Sequence, residues 1–114
     1  MRITLTQRGR VLFCGTVTDL SPLGFTVALP IAQVDDFRDE GGRFVRFDIE
    51  LQLSAADGGY VTGEATVKSV HRVSQQNCGM DVRFIDLNQG AYRQIAEYLS
   101  DAAGEAQTAR QMVG

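Results

Sequence analysis

Residues 44–53 read FVRFDIELQL, and in that stretch Val45, Phe47, Ile49, Leu51 and Leu53 alternate with Arg46, Asp48, Glu50 and Gln52. Successive side chains of a strand point to opposite sides, so an extended backbone gathers all five apolar residues on one face, whereas a helix would scatter them. One face is therefore core and the other is wet. A strand of this kind is unstable alone and requires further strands or a helix to cover its apolar side.

Other stretches supply them. In RITLT, Ile3 and Leu5 share a face; QRGR places Gly9 in a turn; VLFCGTVTDL then returns as the second arm of a hairpin. FTVAL puts Phe25, Val27 and Leu29 together, and Pro30 closes that strand because it has no N–H to donate to a ladder. PIAQVDDFRDEGG is acidic and glycine-ended and reads as a loop with one helical turn. SAADGG is a turn signal; YVTGEATVKSVHRV is a long strand in which Gly63 marks a bend or bulge. QQNCG turns the chain into MDVRFIDL, where Met80, Val82 and Phe84 share a face.

After that the period changes. Tyr92, Ile95, Ala96 and Leu99 fall at the spacing of one helical face, with Asn88 as N-cap and Gly104 as terminator. About six short strands with glycine-rich turns and one final helix predict a mainly β fold: a six-stranded antiparallel barrel, flanked or plugged by a C-terminal α-helix. Closing the sheet on itself removes its edges. One domain is expected, with the barrel over about 1–87, the helix over about 88–103 and a tail to 114. Val45, Phe47, Ile49, Leu51, Val82 and Phe84 are the expected core, with Tyr92, Ile95 and Leu99 packed over one barrel opening.

A chain of 114 residues with 44% hydrophobic and 22% charged residues has the composition of a globular domain. Its net charge of −3 and its dispersed basic residues lack the footprint of a DNA- or RNA-binding surface, so no nucleic-acid polymer is expected as partner. No apolar run is long enough to span a bilayer, and MRITLTQRGR is not a signal-peptide block. No membrane insertion and a cytoplasmic location are the corresponding expectations. Cys14 and Cys78 have no CxxC context and only His71 to join them, so no metal site is expected and both read as packing thiols. His71 reads as structural. No glycine-rich phosphate loop opens a helix and no acid, base and nucleophile set is recognisable, so an enzyme on a split barrel, such as a flavin-dependent reductase, lacks support and no cofactor is expected.

DLSPLG, residues 19–24, separates two of the strands. As local chemistry it is a turn: Asp19 and Ser21 can bond nearby backbone N–H groups, Pro22 fixes φ and Gly24 tolerates unusual dihedrals. Taken with its place before an alternating strand, with GEATVKSV, with CGMDVRFIDL and with a helix carrying IAEYL, the hexapeptide of form [DN]xSxxG resembles the PilZ domain family over nearly the whole chain. The resemblance implies a non-enzymatic barrel that receives the bacterial second messenger cyclic di-GMP and signals to a partner protein, with outputs such as motility or surface polysaccharide. It also implies that Asp19, Ser21 and Gly24 contact the nucleotide. The chemistry fits: a carboxylate accepts the N–H donors of a guanine edge, a hydroxyl adds a bond, and glycine lets backbone approach.

The family's second half-site, RxxxR before the first strand, is missing. The early arginines are Arg2, Arg8 and Arg10, and alternation leaves Arg8 and Arg10 on one face at the rim of a hairpin. A hydrogen bond to a charged group contributes about 1.5–3 kcal/mol, so losing two guanidinium groups costs roughly 3–6 kcal/mol, or about 10²–10⁴ in affinity. The expectation is thus a signalling module acting through protein contacts, with nucleotide binding weak or lost. The alternative is a working receptor that uses Asp19, Ser21 and Gly24 with arginines from Arg8 and Arg10 or from outside these residues.

Overall fold

The computed structural model describes residues 1–54 and 59–100. Part of the expected SAADGG turn, Gly104 and the tail from 101 lie outside them. The chain is mainly β, with six antiparallel strands closed into a barrel and a C-terminal helix. The strands are β1 (Arg2–Gln7), β2 (Arg10–Ser21), β3 (Gly24–Pro30), β4 (Arg46–Ser54), β5 (Gly59–Arg72) and β6 (Asn77–Leu87). Their order around the barrel is β1-β2-β3-β6-β5-β4, and β1 closes it by pairing with β4. The helix, α1, covers residues 91–100.

The turns follow from their residues. Arg8 and Gly9 have φ of 53° and 80°, the two left-handed positions of a primed turn, whose twist suits a two-residue hairpin. The turn from β2 to β3 is tighter still, with Ser21 paired to Gly24 across Pro22 and Leu23. From β3 the chain crosses to β4 through a 3₁₀ helix, Ile31–Phe37, longer than the single turn expected from its acidic sequence. Residues three apart eclipse in that geometry, and it is Val34 and Phe37 that it buries. The Phe37 ring meets Phe47 edge-on at 5.3 Å.

Phe47, Ile49, Leu51, Val82 and Phe84 are buried as their alternation requires, joined by Ile3, Leu5, Phe25, Val27, Leu29 and Met80. Val45 lies before β4 and is only half-buried. The helix departs from the expected phase. Ala91 and Ile95 are buried and Leu99 packs beside them, so the docking face repeats every fourth residue. Tyr92 lies off that face and is 49% exposed, its ring edge-on to Phe84 at 6.4 Å. Ala96 is exposed.

The start of the helix explains the shift. Asn88 does not act as its side-chain N-cap: its N–H donates to the Thr62 carbonyl at 2.9 Å and its side-chain amide donates to the Thr62 hydroxyl. These bonds tie residue 88 to β5. The chain then turns through Gly90, at φ +84°, and enters the helix at 91 rather than 88. Ile95→Ala should therefore cost about 2–5 kcal/mol, the range for a truncated core aliphatic. Tyr92→Ala should cost less than Ile95→Ala, because about half of Tyr92 is already in water whereas Ile95 is fully buried. Urea denaturation of both variants checks this, and equal losses would contradict the phase described.

Candidate functional site

The outer surface of β2, β3, β6 and β5 carries two transverse rows of side chains, set by register. The first row runs Asp19, Thr26, Asp81, Ser69, and the second runs Ser21, Gly24, Arg83, Thr66. Gly24 leaves a gap in the second row, and the gap is obligatory. A Cβ there would strike the backbone carbonyl of Val82 on β6. The result is a groove of about 440 Å³ lined by Asp19, Ser21, Gly24, Lys68, Asp81 and Arg83 among others.

Two β-bulges frame it. Between Val17 and Asp19 on β2, residue Thr18 is an extra residue against β3, and its hydroxyl donates to the Thr26 carbonyl at 3.1 Å. Between Val67 and Ser69 on β5, Lys68 is the extra residue against β6. A bulge shifts the alternation by one and re-aims the side chains beside it. That is how Asp19 and Lys68 both come to line the groove.

Asp81 is the fixed point of the first row. Thr26 Oγ1 donates to its Oδ1 and Ser69 Oγ to its Oδ2, each at 2.7 Å, and His71 Nδ1 lies 3.8 Å from Oδ2. These hydroxyl donors, Thr26 first and Ser69 next, hold the Asp81 carboxyl below the usual carboxylate range. Partial burial opposes the shift, while the charges of His71 and Lys68 add to it. The carboxylate thereby links β3, β6 and β5 beneath the groove. The His71 ring sits over Gly79, where a Cβ would collide with it.

The hexapeptide divides its labour. Ser21 Oγ accepts the Leu23 N–H at 3.2 Å and donates to the Gly24 carbonyl at 3.3 Å, so this hydroxyl closes the turn. The Asp19 carboxylate, expected to share that work, makes no hydrogen bond or ion pair among the described residues. It is exposed at the groove.

The five residues singled out from sequence thus fall into two groups. Asp19, Ser21 and Gly24 meet in one groove, while Arg8 and Arg10 lie at the opposite end of β2, in and after its first turn. Arg10 and Asp19 stand nine residue steps apart on one strand, roughly 30 Å of contour at about 3.3 Å per residue. Lys68, Asp81 and Arg83 carry no local sequence signal; cross-strand register alone places them at the groove. Elsewhere, Cys78 is buried, donates to the Leu29 carbonyl at 3.7 Å and has its thiol pushed up by burial. Cys14 is exposed, so it is not the packing thiol expected. Among the described residues no helix is long and apolar enough to cross a membrane.

No protein-family model, curated protein or solved structure matches the chain.

Two outcomes follow from these geometries. In ligand-free protein, Ser21→Ala should lower stability by about 1 kcal/mol, the usual net value of a hydrogen bond, and Asp19→Ala should leave it unchanged within error; chemical denaturation at neutral pH distinguishes the two. Asp81 supplies the second. A carboxyl with a depressed folded pKa contributes stability that is fully present above its unfolded value of about 3.9 and is lost as pH falls through the folded value. Below about pH 4, the stability gap between the parent and Asp81→Asn should shrink on further acidification. A gap that is the same at low pH as at neutrality would remove Asp81 from this role.

Proposed function

We propose that this chain is a non-enzymatic signalling module of PilZ type whose ligand face is the groove beside the β2–β3 turn. The reading rests on one observation: the Asp19 carboxylate, with no side-chain bond that the fold uses, stands in a shaped groove beside Ser21 and Gly24. A free carboxylate held on a rigid sheet at a loop end is suited to recognising a ligand with paired N–H donors. The Watson–Crick edge of guanine presents that pair, and cyclic di-GMP carries two such edges.

Affinity for that nucleotide is low in this reading. Arg8 and Arg10 are separated from the groove by most of β2 and cannot replace an arginine pair beside it. The module then acts chiefly through protein contacts. Leu23, 76% exposed, places apolar surface at the groove; its carbonyl accepts the N–H of Phe84, whose ring meets that of the half-exposed Tyr92 on the helix. A partner resting there would sense whether the turn is occupied.

Calorimetric titration of cyclic di-GMP into the protein tests the reading. The dissociation constant should be weaker than about 1 µM, equivalent to about −8.2 kcal/mol, and Asp19→Ala should weaken it further without altering stability. Tight binding abolished by Arg8→Ala or Arg10→Ala would replace this account with a receptor clamped by those two arginines.

A further inference from the structure

The groove holds positive charge of its own. Arg83 stands in the second row, directly across β3 from Ser21 and beside the gap left by Gly24. Lys68 reaches the same groove from the bulge on β5, close enough to act on the charge of Asp81. Neither cation makes an ion pair among the described residues. The two carboxylates differ in their commitments: Asp81 is engaged by Thr26, Ser69 and His71, and Asp19 is free.

From this arrangement we infer that Lys68 and Arg83 form a phosphate seat, and that they hold the phosphate groups of a nucleotide whose base edge is read by Asp19. The inference deepens the proposed function and rests on it for the identity of the nucleotide. The phosphate chemistry stands on the groove alone. A guanidinium presents paired N–H donors that match two phosphate oxygens, and an ammonium adds a mobile point charge. Arg83 and Asp81 occupy alternate positions of β6, about 6–7 Å apart along the strand. A phosphate on Arg83 therefore lies over the Gly24 gap, away from the Asp81 carboxylate. The bulge on β5 has a consequence here as well. Without the extra residue, the outward side chains of β5 would alternate as on any strand; with it, Lys68 and Ser69 follow one another, and Ser69 can bind Asp81 while Lys68 remains available.

The test uses two probes, inorganic pyrophosphate and cyclic di-GMP, each titrated at low ionic strength and followed by amide chemical shifts. Both should perturb the amides around Gly24, Val82 and Arg83. The double variant Lys68→Gln/Arg83→Gln should weaken both by about tenfold or more, the size expected for lost bonds to charged groups. Arg8→Gln/Arg10→Gln should leave both unchanged. The substituted residues are exposed, so unaltered amide spectra outside the groove will report an intact fold. If cyclic di-GMP binds at the groove and the double variant binds it equally well, the phosphate seat is wrong and the proposed function survives. If pyrophosphate binds at the groove through Lys68 and Arg83 but cyclic di-GMP binds no more tightly, the seat is right and the guanine reading fails. Absence of groove perturbation by both probes overturns the seat itself.

Discussion

The pairing of β1 with β4 is the constraint on which the rest of the molecule depends. Five register pairs, from Arg2 opposite Gln52 to Thr6 opposite Asp48, convert an open sheet into a barrel. They carry Ile3 and Leu5 inward beside Leu51 and Ile49, all essentially inaccessible to water. Were β1 to detach, two edges would expose unpaired backbone groups, and this apolar cluster would meet solvent. Closure also fixes the remaining registers, because each strand is then held from both sides. The transverse rows of the groove are a product of that enforcement: Asp19 reaches the level of Asp81 only if β2, β3 and β6 each keep their alignment.

The same closure explains what the sequence reveals of the fold. β4 is regular, and Phe47, Ile49 and Leu51 announce it through an alternation that any half-buried strand must show. β2 is harder to read because its phase slips twice. Leu12 is extra against β1 and Thr18 is extra against β3, so the inward set passes from Leu12 through Val17 to Leu20 without a constant period. The helix is visible as a periodic segment, but its rotation is not. Tyr92 and Ile95 look equivalent on a helical wheel; the tie between Asn88 and Thr62 then decides that Ile95 faces the core and Tyr92 the rim. That tie joins residues 26 positions apart. No local rule anticipates it.

Legibility of the site divides along the same line. Asp19, Ser21 and Gly24 fall within six residues of contiguous chain, and the chemistry of a turn makes them conspicuous. Arg8 and Arg10 draw attention because they are arginines near a strand, yet distance along β2 separates them from the groove. Lys68 and Arg83 look like ordinary outward charges on two strands. They become neighbours of Asp19 only through three ladders and a bulge, which are properties of the closed sheet. A reader of sequence sees residue types; the register supplies the company they keep.

Charge on the outer surface follows a different logic from the core. Further along β5 and β6, past the row of Arg83 and Thr66, Asp48 is paired with Glu64 and Glu64 with Asp86, a row of like charges directly across three strands. Such pairs oppose folding by a few tenths to about 1 kcal/mol each, an amount that the buried cluster absorbs. Stability therefore does not dictate the pattern of outward charge, and the fold is free to hold groups that do nothing for it. Ser21 closes a turn and Asp81 joins three strands, so either would be retained by a barrel with no ligand at all. Asp19, Lys68 and Arg83 have no comparable structural work. These three converge on the one gap in the rows that Gly24 must leave open. Convergence of unpaired opposite charges around an obligatory gap is what a small ligand with both anionic groups and N–H donors requires, and it distinguishes the groove from the neighbouring acidic row.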